Sequence, residues 1–180
     1  MADLRARRPE ALAELLRVHG AEIHAVAYLI LRDSDHAEEV TADTLLTCWH
    51  KVGGLREPDR LRPWLLRIAT RLALRQRVRQ ARLATVSLDG RPEPAEREMP
   101  VVDRLVLREA LDRLPPRMRA VVALHHVAGL TVAETADAVG RSPNTVKSQL
   151  REALSRLRAE LSDPSDGATG RSPAAREEPS

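Results

Sequence analysis

Asn144, Thr145, Lys147, Ser148 and Arg151 fall within one short stretch, at spacings that share the outer side of a helix's first turns. Together they offer the hydrogen-bonding groups that read nucleic acid. An Asn amide can pair bidentately with adenine, Lys or Arg can donate to guanine or to phosphate, and hydroxyls serve either. Between Arg141 and Arg158 there are five basic residues and one acid. The chemistry on offer is groove binding, with no nucleophile paired to a base.

Such side chains work only if something holds them at a groove. Thr131 is a good N-cap, and Glu134, three residues on, can return its hydrogen bond. Val132, Thr135, Ala136 and Val139 give a short helix an inner side. Gly140 follows, where a left-handed residue costs glycine least. Ser142 then caps a second helix that has Pro143 at its first position. Val146, Leu150, Leu154, Leu157 and Leu161 form its apolar stripe. A small crossing residue (Ala136), a turn glycine (Gly140) and a β-branched anchor (Val146) are what a helix-turn-helix needs. The DNA-facing set is Ser142, Asn144, Thr145, Lys147, Ser148 and Arg151.

A second basic cluster lies upstream. From Arg60 to Arg82 there are eight arginines and no acid. Arg67, Arg71, Arg75 and Arg79 step at i+4 beside an apolar stripe of Leu65, Ile68 and Leu72. Like charges at that spacing repel, and a phosphate backbone would relieve them through counterion release.

The rest of the chain is helical in pattern. The run 9–31 carries Leu12, Leu15, Leu16, Ile23, Val26, Ile30 and Leu31, with Gly20 as a possible break into two helices. Asp35, with Glu38 three residues on, is placed to cap the next helix, which runs to about Val52. Another starts near Pro63 and runs to about Arg82. Residues 83–101 hold three prolines and no apolar period, so they read as a linker. Helical periodicity returns at 102, breaks at Pro115–Pro116, and resumes over 117–127. Residues 162–180 have no Leu, Val, Ile, Met or aromatic residue, a composition expected to stay disordered. The expected architecture is all-α: a helical domain over 8–82, the linker over 83–101, and a helix-turn-helix domain over 102–161.

Composition agrees and excludes much else. Phe is absent and aromatics are 2%, so the core is aliphatic and suits packed helices. The single cysteine, Cys48, rules out an internal disulfide and is read as a small buried apolar residue. The six histidines form no i, i+4 pair, so no metal site is expected. No cofactor motif and no catalytic pairing stands out, and the chain is not read as an enzyme acting alone. The longest apolar run, Ala25–Leu31, cannot span a bilayer, and the N-terminus is not read as a signal peptide.

The segment "LDRLPPRMRAVVALHHVAGLTVAETADAVGRSPNTVKSQLREALSRLR" strongly resembles region 4 of bacterial extracytoplasmic-function sigma factors. Leu114, Pro115, Arg119, Gly129, Thr131, Glu134, Ala136, Gly140, Thr145, Val146, Lys147 and Ser148 match that family's pattern. Upstream, "DSDHAEEVTADTLLTCWHKV" and "LRPWLLRIATRLALRQRVR" resemble its region 2. Ala37, Glu38, Glu39, Asp43, Thr44, Leu45 and Trp49 match the first pattern; Trp64, Leu65, Arg67, Ile68, Ala69 and Ala73 match the second. Three positions depart: Ala42 stands where Gln is usual, Arg71 for Asn and Arg75 for Asp.

The resemblance implies a cytoplasmic transcription-initiation factor whose partners are core RNA polymerase, promoter DNA and an anti-sigma protein. It implies polymerase binding through Glu38, Glu39, Asp43, Leu45 and Trp49. It further implies that the second helix reads the −10 element, where the charge pattern offers Arg67, Arg71, Arg75 and Arg79, and that residues 142–151 contact the −35 element. Two alternatives share the same residues: a stand-alone helix-turn-helix regulator, and a sigma-like decoy that binds an anti-sigma protein without starting transcription.

Overall fold

The computed structural model describes residues 2–84 and 101–162, so the linker and tail expectations lie outside the described residues except at their ends, where residues 83, 84, 101 and 162 belong to helices. Eight α-helices account for nearly all of it: α1 Ala2–Arg5, α2 Pro9–Leu31, α3 Ser34–Lys51, α4 Leu61–Ala84, α5 Val101–Arg113, α6 Pro116–Val122, α7 Val132–Val139 and α8 Pro143–Ser162. Two short 3₁₀ turns join α3 to α4, and a wide five-residue turn, Ala123–Val127, extends α6.

Helices α2, α3 and α4 pack on one another around Ile23, Val26, Ile30, Leu31, Val40, Leu65 and Leu66. Gly20 does not break α2, contrary to the possibility left open by its sequence. It lies buried in a continuous helix, where an added Cβ would sit 2.7 Å from Leu16 Cδ1. The α3 cap is Asp33 rather than Asp35: its carboxylate accepts from the His36 backbone N–H at 2.9 Å. The reason is register, since α3 begins at Ser34 and puts Asp35 inside the first turn. On α4, the buried line is Leu65, Leu66, Ala69 and Ala73, while Ile68 and Leu72 are only partly covered.

The C-terminal helices bury two smaller clusters. One joins Ala110, Leu114, Met118 and Val122 to Ala153 and Leu157 of α8. The other packs Val121 of α6 against Ala136 of α7 and Val146 and Leu150 of α8. Glu134 and Thr131 form the capping box, Gly140 takes φ +66°, and the Ser142 hydroxyl accepts from the Thr145 N–H. Each was legible in sequence because each satisfies a local backbone demand.

The two helical units do not merely hang on a tether. Ala120, Ala123, Leu124, Ala128, Leu130 and Ala138 belong to the same buried cluster as the α2–α4 core. Four of these six are alanines, so backbones approach closely and α7 lies on α4. Arginines line the seam. Arg119 Nη2 donates to the Ile30 carbonyl at 3.0 Å; Arg32 Nε donates to Asp112 at 2.7 Å; Arg62 bridges Glu22 and the Ala128 carbonyl; Arg67 Nη1 donates to Asp137 at 2.7 Å.

Candidate nucleic-acid interface

Helix α8 has two faces with different tasks. Val146, Leu150, Ala153 and Leu157 are buried against α5, α6 and α7. Ser142, Asn144, Lys147, Ser148 and Arg151 are exposed, and Thr145 is partly so. Two of the hydroxyls already have local duties: Ser142 and Thr145 pair at 2.9 Å, and Ser148 donates to the Thr145 carbonyl at 2.9 Å. Asn144, Lys147 and Arg151 have no side-chain partner among the described residues. Their hydrogen-bonding capacity is therefore uncommitted, and no carboxylate neutralises the two cations. A rigid helix with free donors on one face can enter a major groove without paying to break internal bonds.

The α4 arginines divide. Arg71, Arg75 and Arg79 are exposed, and Arg79 donates to Gln76 one turn away. Arg71 and Arg75 form no ion pair among the described residues. Arg67 is different, because Asp137 of α7 holds it across the seam. The acid that relieves Arg67 lies 70 residues away, where sequence spacing could not find it.

Helix α3 divides the expected polymerase-facing set between surface and core. Glu38, Glu39 and Asp43 are exposed as predicted. Leu45 is 7% exposed and belongs to the core, and Trp49 packs partly buried against it. Leu46, which the family pattern did not single out, is the exposed apolar residue at 49%. It shares a face with Glu39, Ala42 and Asp43 at helical spacing. With Leu45 turned to the core beside Val40, Thr44 and Cys48, Leu46, at i+3 from Asp43 and i+4 from Ala42, faces outward. Glu39 and Asp43 also border α4, lining with Leu72, Arg75 and Arg79 a shallow groove of about 270 Å³.

The remaining polar groups are structural. Hydrogen bonds from the Thr131 hydroxyl and backbone hold Glu134 below its usual range. Burial pushes the Cys48 thiol up to about 11, which leaves it inert at neutral pH. Among the described residues no cluster of His, Cys, Asp or Glu could hold a metal ion, and no helix is long and apolar enough to cross a membrane.

A three-helix unit with an arginine-rich edge, joined to a helix-turn-helix with an open basic face, defines a bipartite DNA-binding transcription factor. Comparison with known proteins makes the class specific. Residues 15–83 match the family model for sigma-70 region 2, and residues 104–157 that for sigma-70 region 4. The ECF RNA polymerase sigma factor SigM of Mycobacterium tuberculosis is 32% identical over 148 residues, covering 82% of this chain and 75% of its own. SigL of the same species is 32% identical over 154 residues, covering 81% and 85%. A solved complex of the sigma factor RpoE with the anti-sigma factor NepR, from Bartonella quintana, has the same fold. Its TM-score is 0.72 at 24% identity, covering 87% of this chain and 99% of that one. The chain belongs to the extracytoplasmic-function sigma factors. It binds core RNA polymerase and directs transcription initiation at promoters, which favours the first reading over the stand-alone regulator and the decoy.

Proposed function

We propose that the exposed face of α8 reads the −35 element and the arginine edge of α4 grips the −10 region, while the outer face of α3 docks on the polymerase. The observation that carries this reading is the uncommitted chemistry of Asn144, Lys147 and Arg151, exposed on a helix whose opposite face is core. Ser142, Thr145 and Ser148 frame them and can turn to phosphates. On α4, Arg71, Arg75 and Arg79 supply donors for phosphates, for guanine, or for stacking on an exposed base. On α3, Glu38, Glu39 and Asp43 suit a basic surface, and Leu46 replaces Leu45 as the apolar contact.

The chain supplies binding surfaces only, and the chemistry of RNA synthesis stays with the polymerase. Its work is therefore placed in the cytoplasm, where polymerase and chromosome meet. An anti-sigma protein is the further partner we propose, supported by the shared fold with RpoE, which was solved in complex with NepR.

The test is co-purification with core RNA polymerase followed by run-off transcription from a promoter library. The reading requires both steps to succeed. Failure at the first step would restore the stand-alone regulator, and failure at the second alone would restore the decoy.

A further inference from the structure

We propose that Arg32, Arg77 and Arg119 form a binding site for a small inorganic anion of chloride size, at the junction of α2, α4, α5 and α6. None of the three belongs to the DNA- or polymerase-facing sets, so the site stands apart from the reading above. Arg32 caps α2, Arg77 lies on α4, Asp112 on α5 and Arg119 on α6. Arg32 Nε donates to Asp112 Oδ1 at 2.7 Å, and Arg119 Nη1 donates to the Asp112 carbonyl at 3.1 Å. Arg119 Nη2 donates to the carbonyl of Ile30, two residues before Arg32, at 3.0 Å. Arg32 and Arg119 therefore converge on the same short stretches of backbone. Burial first, then Arg77, then Arg32 make Arg119 harder to protonate, so both guanidiniums are close neighbours of the third.

The charges here do not balance. Asp112 is the one carboxylate acting on Arg119, and it already serves Arg32. Arg77 forms no ion pair among the described residues; its one side-chain bond runs from Nη1 to Gln80 at 3.4 Å. The hydrogen bonds do not balance either. Arg32 Nη2 and Arg119 Nε are both buried and have no acceptor among the described residues. The Tyr28 ring, 5.1 Å from the Arg32 guanidinium, attracts the cation but gives its in-plane N–H groups no lone pair. A buried N–H of a charged group left without an acceptor is costly, and so is a buried cation without a counter-charge. A neutral acceptor answers the first cost alone, and an anion answers both. The two buried donors are single N–H groups on different guanidiniums, not the paired edge that grips an oxyanion bidentately. A spherical acceptor therefore suits them better than phosphate. Arg77, only partly buried, supplies the third cation on the side toward solvent.

Thermal melts of the full chain test the site, with sodium gluconate replaced stepwise by sodium chloride at fixed pH and ionic strength. Chloride should raise the melting temperature by roughly 3 °C or more and the rise should saturate, as binding to one folded-state site requires. Arg77→Gln loses no ion pair and should fold, yet lose most of the rise. Arg32→Gln should lose it too. Arg71→Gln removes an exposed, unpaired cation from the same helix and should keep it. Bromide is the direct probe, because it scatters anomalously. Crystals of the wild-type chain grown in bromide should show an anomalous peak among Arg32 Nη2, Arg77 and Arg119 Nε. A rise that never saturates, or one that Arg77→Gln retains in full, is general ionic stabilisation and overturns the site. A bromide peak there without any saturable rise marks an adventitious ion only and overturns it equally. Absence of a peak at the junction overturns it whatever the melts show, and leaves the two N–H groups to water.

Discussion

Arg119 and Ile30 are 89 residues apart in sequence, yet the guanidinium of one donates to the carbonyl of the other at 3.0 Å. Arg119 is 3% exposed, and its other terminal nitrogen donates to the carbonyls of Asp112 and Leu114 at 3.1 and 2.9 Å. Burial, reinforced by nearby Arg77, pulls its pKa down to about 10, so it stays charged at neutral pH. A planar fork of donors can satisfy several carbonyls at once, which a Lys ammonium cannot match in geometry. Arg119→Met should destabilise the fold by about 2–4 kcal/mol, because acceptors from both units lose their partner. Chemical denaturation would show it, and Arg119→Lys should recover only part of the loss.

The register of α3 makes a paired prediction. Leu45→Ala should cost about 2–5 kcal/mol of stability, the usual range for a truncated core leucine. Leu46→Ala should leave stability within about 0.5 kcal/mol, as for other surface changes, and weaken association with core polymerase. Charge reversal at Asp43 should act like Leu46→Ala. Thermal melts and polymerase pull-downs on the two leucine variants decide the matter; wild-type polymerase binding by Leu46→Ala would remove this face from the interface.

For α8, Lys147→Ala and Arg151→Ala should both weaken binding to a −35 duplex. A phosphate contact would reduce the salt slope by about one unit and lower affinity for all sequences alike. A base contact would cost about 1–3 kcal/mol and relax one position. Titrations at several salt concentrations distinguish these, and two variants indistinguishable from wild type would take α8 out of the groove.

Arg71 and Arg75 stand where relatives in the family pattern have Asn and Asp. Arginine has no acceptor, so it cannot make the polar contacts that Asn and Asp offer. Arg71→Asn with Arg75→Asp should change −10 preference and reduce the salt slope of promoter binding by roughly two units. The −35 preference should not move. Transcription of a randomised promoter library by both proteins would reveal an unchanged −10 profile if these arginines face a protein partner instead.

The capping box predicts a pH dependence. Glu134 ionises more readily in the folded chain than its ordinary value of 4.5, because the Thr131 hydroxyl and N–H donate to it. A lowered folded value means that the unfolded chain binds the extra proton. The stabilisation is therefore complete above about pH 4.5 and is lost as pH falls through the lowered folded value. Glu134→Gln keeps a capping-box side chain but cannot titrate. Melting temperatures followed from pH 6 to 3 should fall more steeply for the native chain than for this variant; parallel curves would sink the assignment.

What could be read from the sequence is what the backbone demands locally. The Thr131–Glu134 box, the left-handed Gly140, the Ser142 cap before Pro143 and the Val146, Leu150 and Leu157 part of the apolar stripe each follow from neighbours within one or two helical turns, whereas Leu154 is only partly buried and Leu161 is exposed. Helical spacing also put Asn144, Lys147 and Arg151 on the outer face, where they are. It did not resolve which of two adjacent leucines, Leu45 or Leu46, faces outward, because a stretch with apolar and small residues on several sides allows more than one buried stripe. Only the packing of α3 against α2 and α4 chose between them. Nor could spacing show that Asp137 pairs with Arg67, Asp112 with Arg32, or Ile30 with Arg119. Those partners lie 70, 80 and 89 residues apart, and nothing in the local backbone of either member requires the other. The sequence by itself determined the helices, their caps and the open reading face. The tertiary structure decided which charges are spent inside the molecule, because that depends on which surfaces meet when the alanine-lined seam closes.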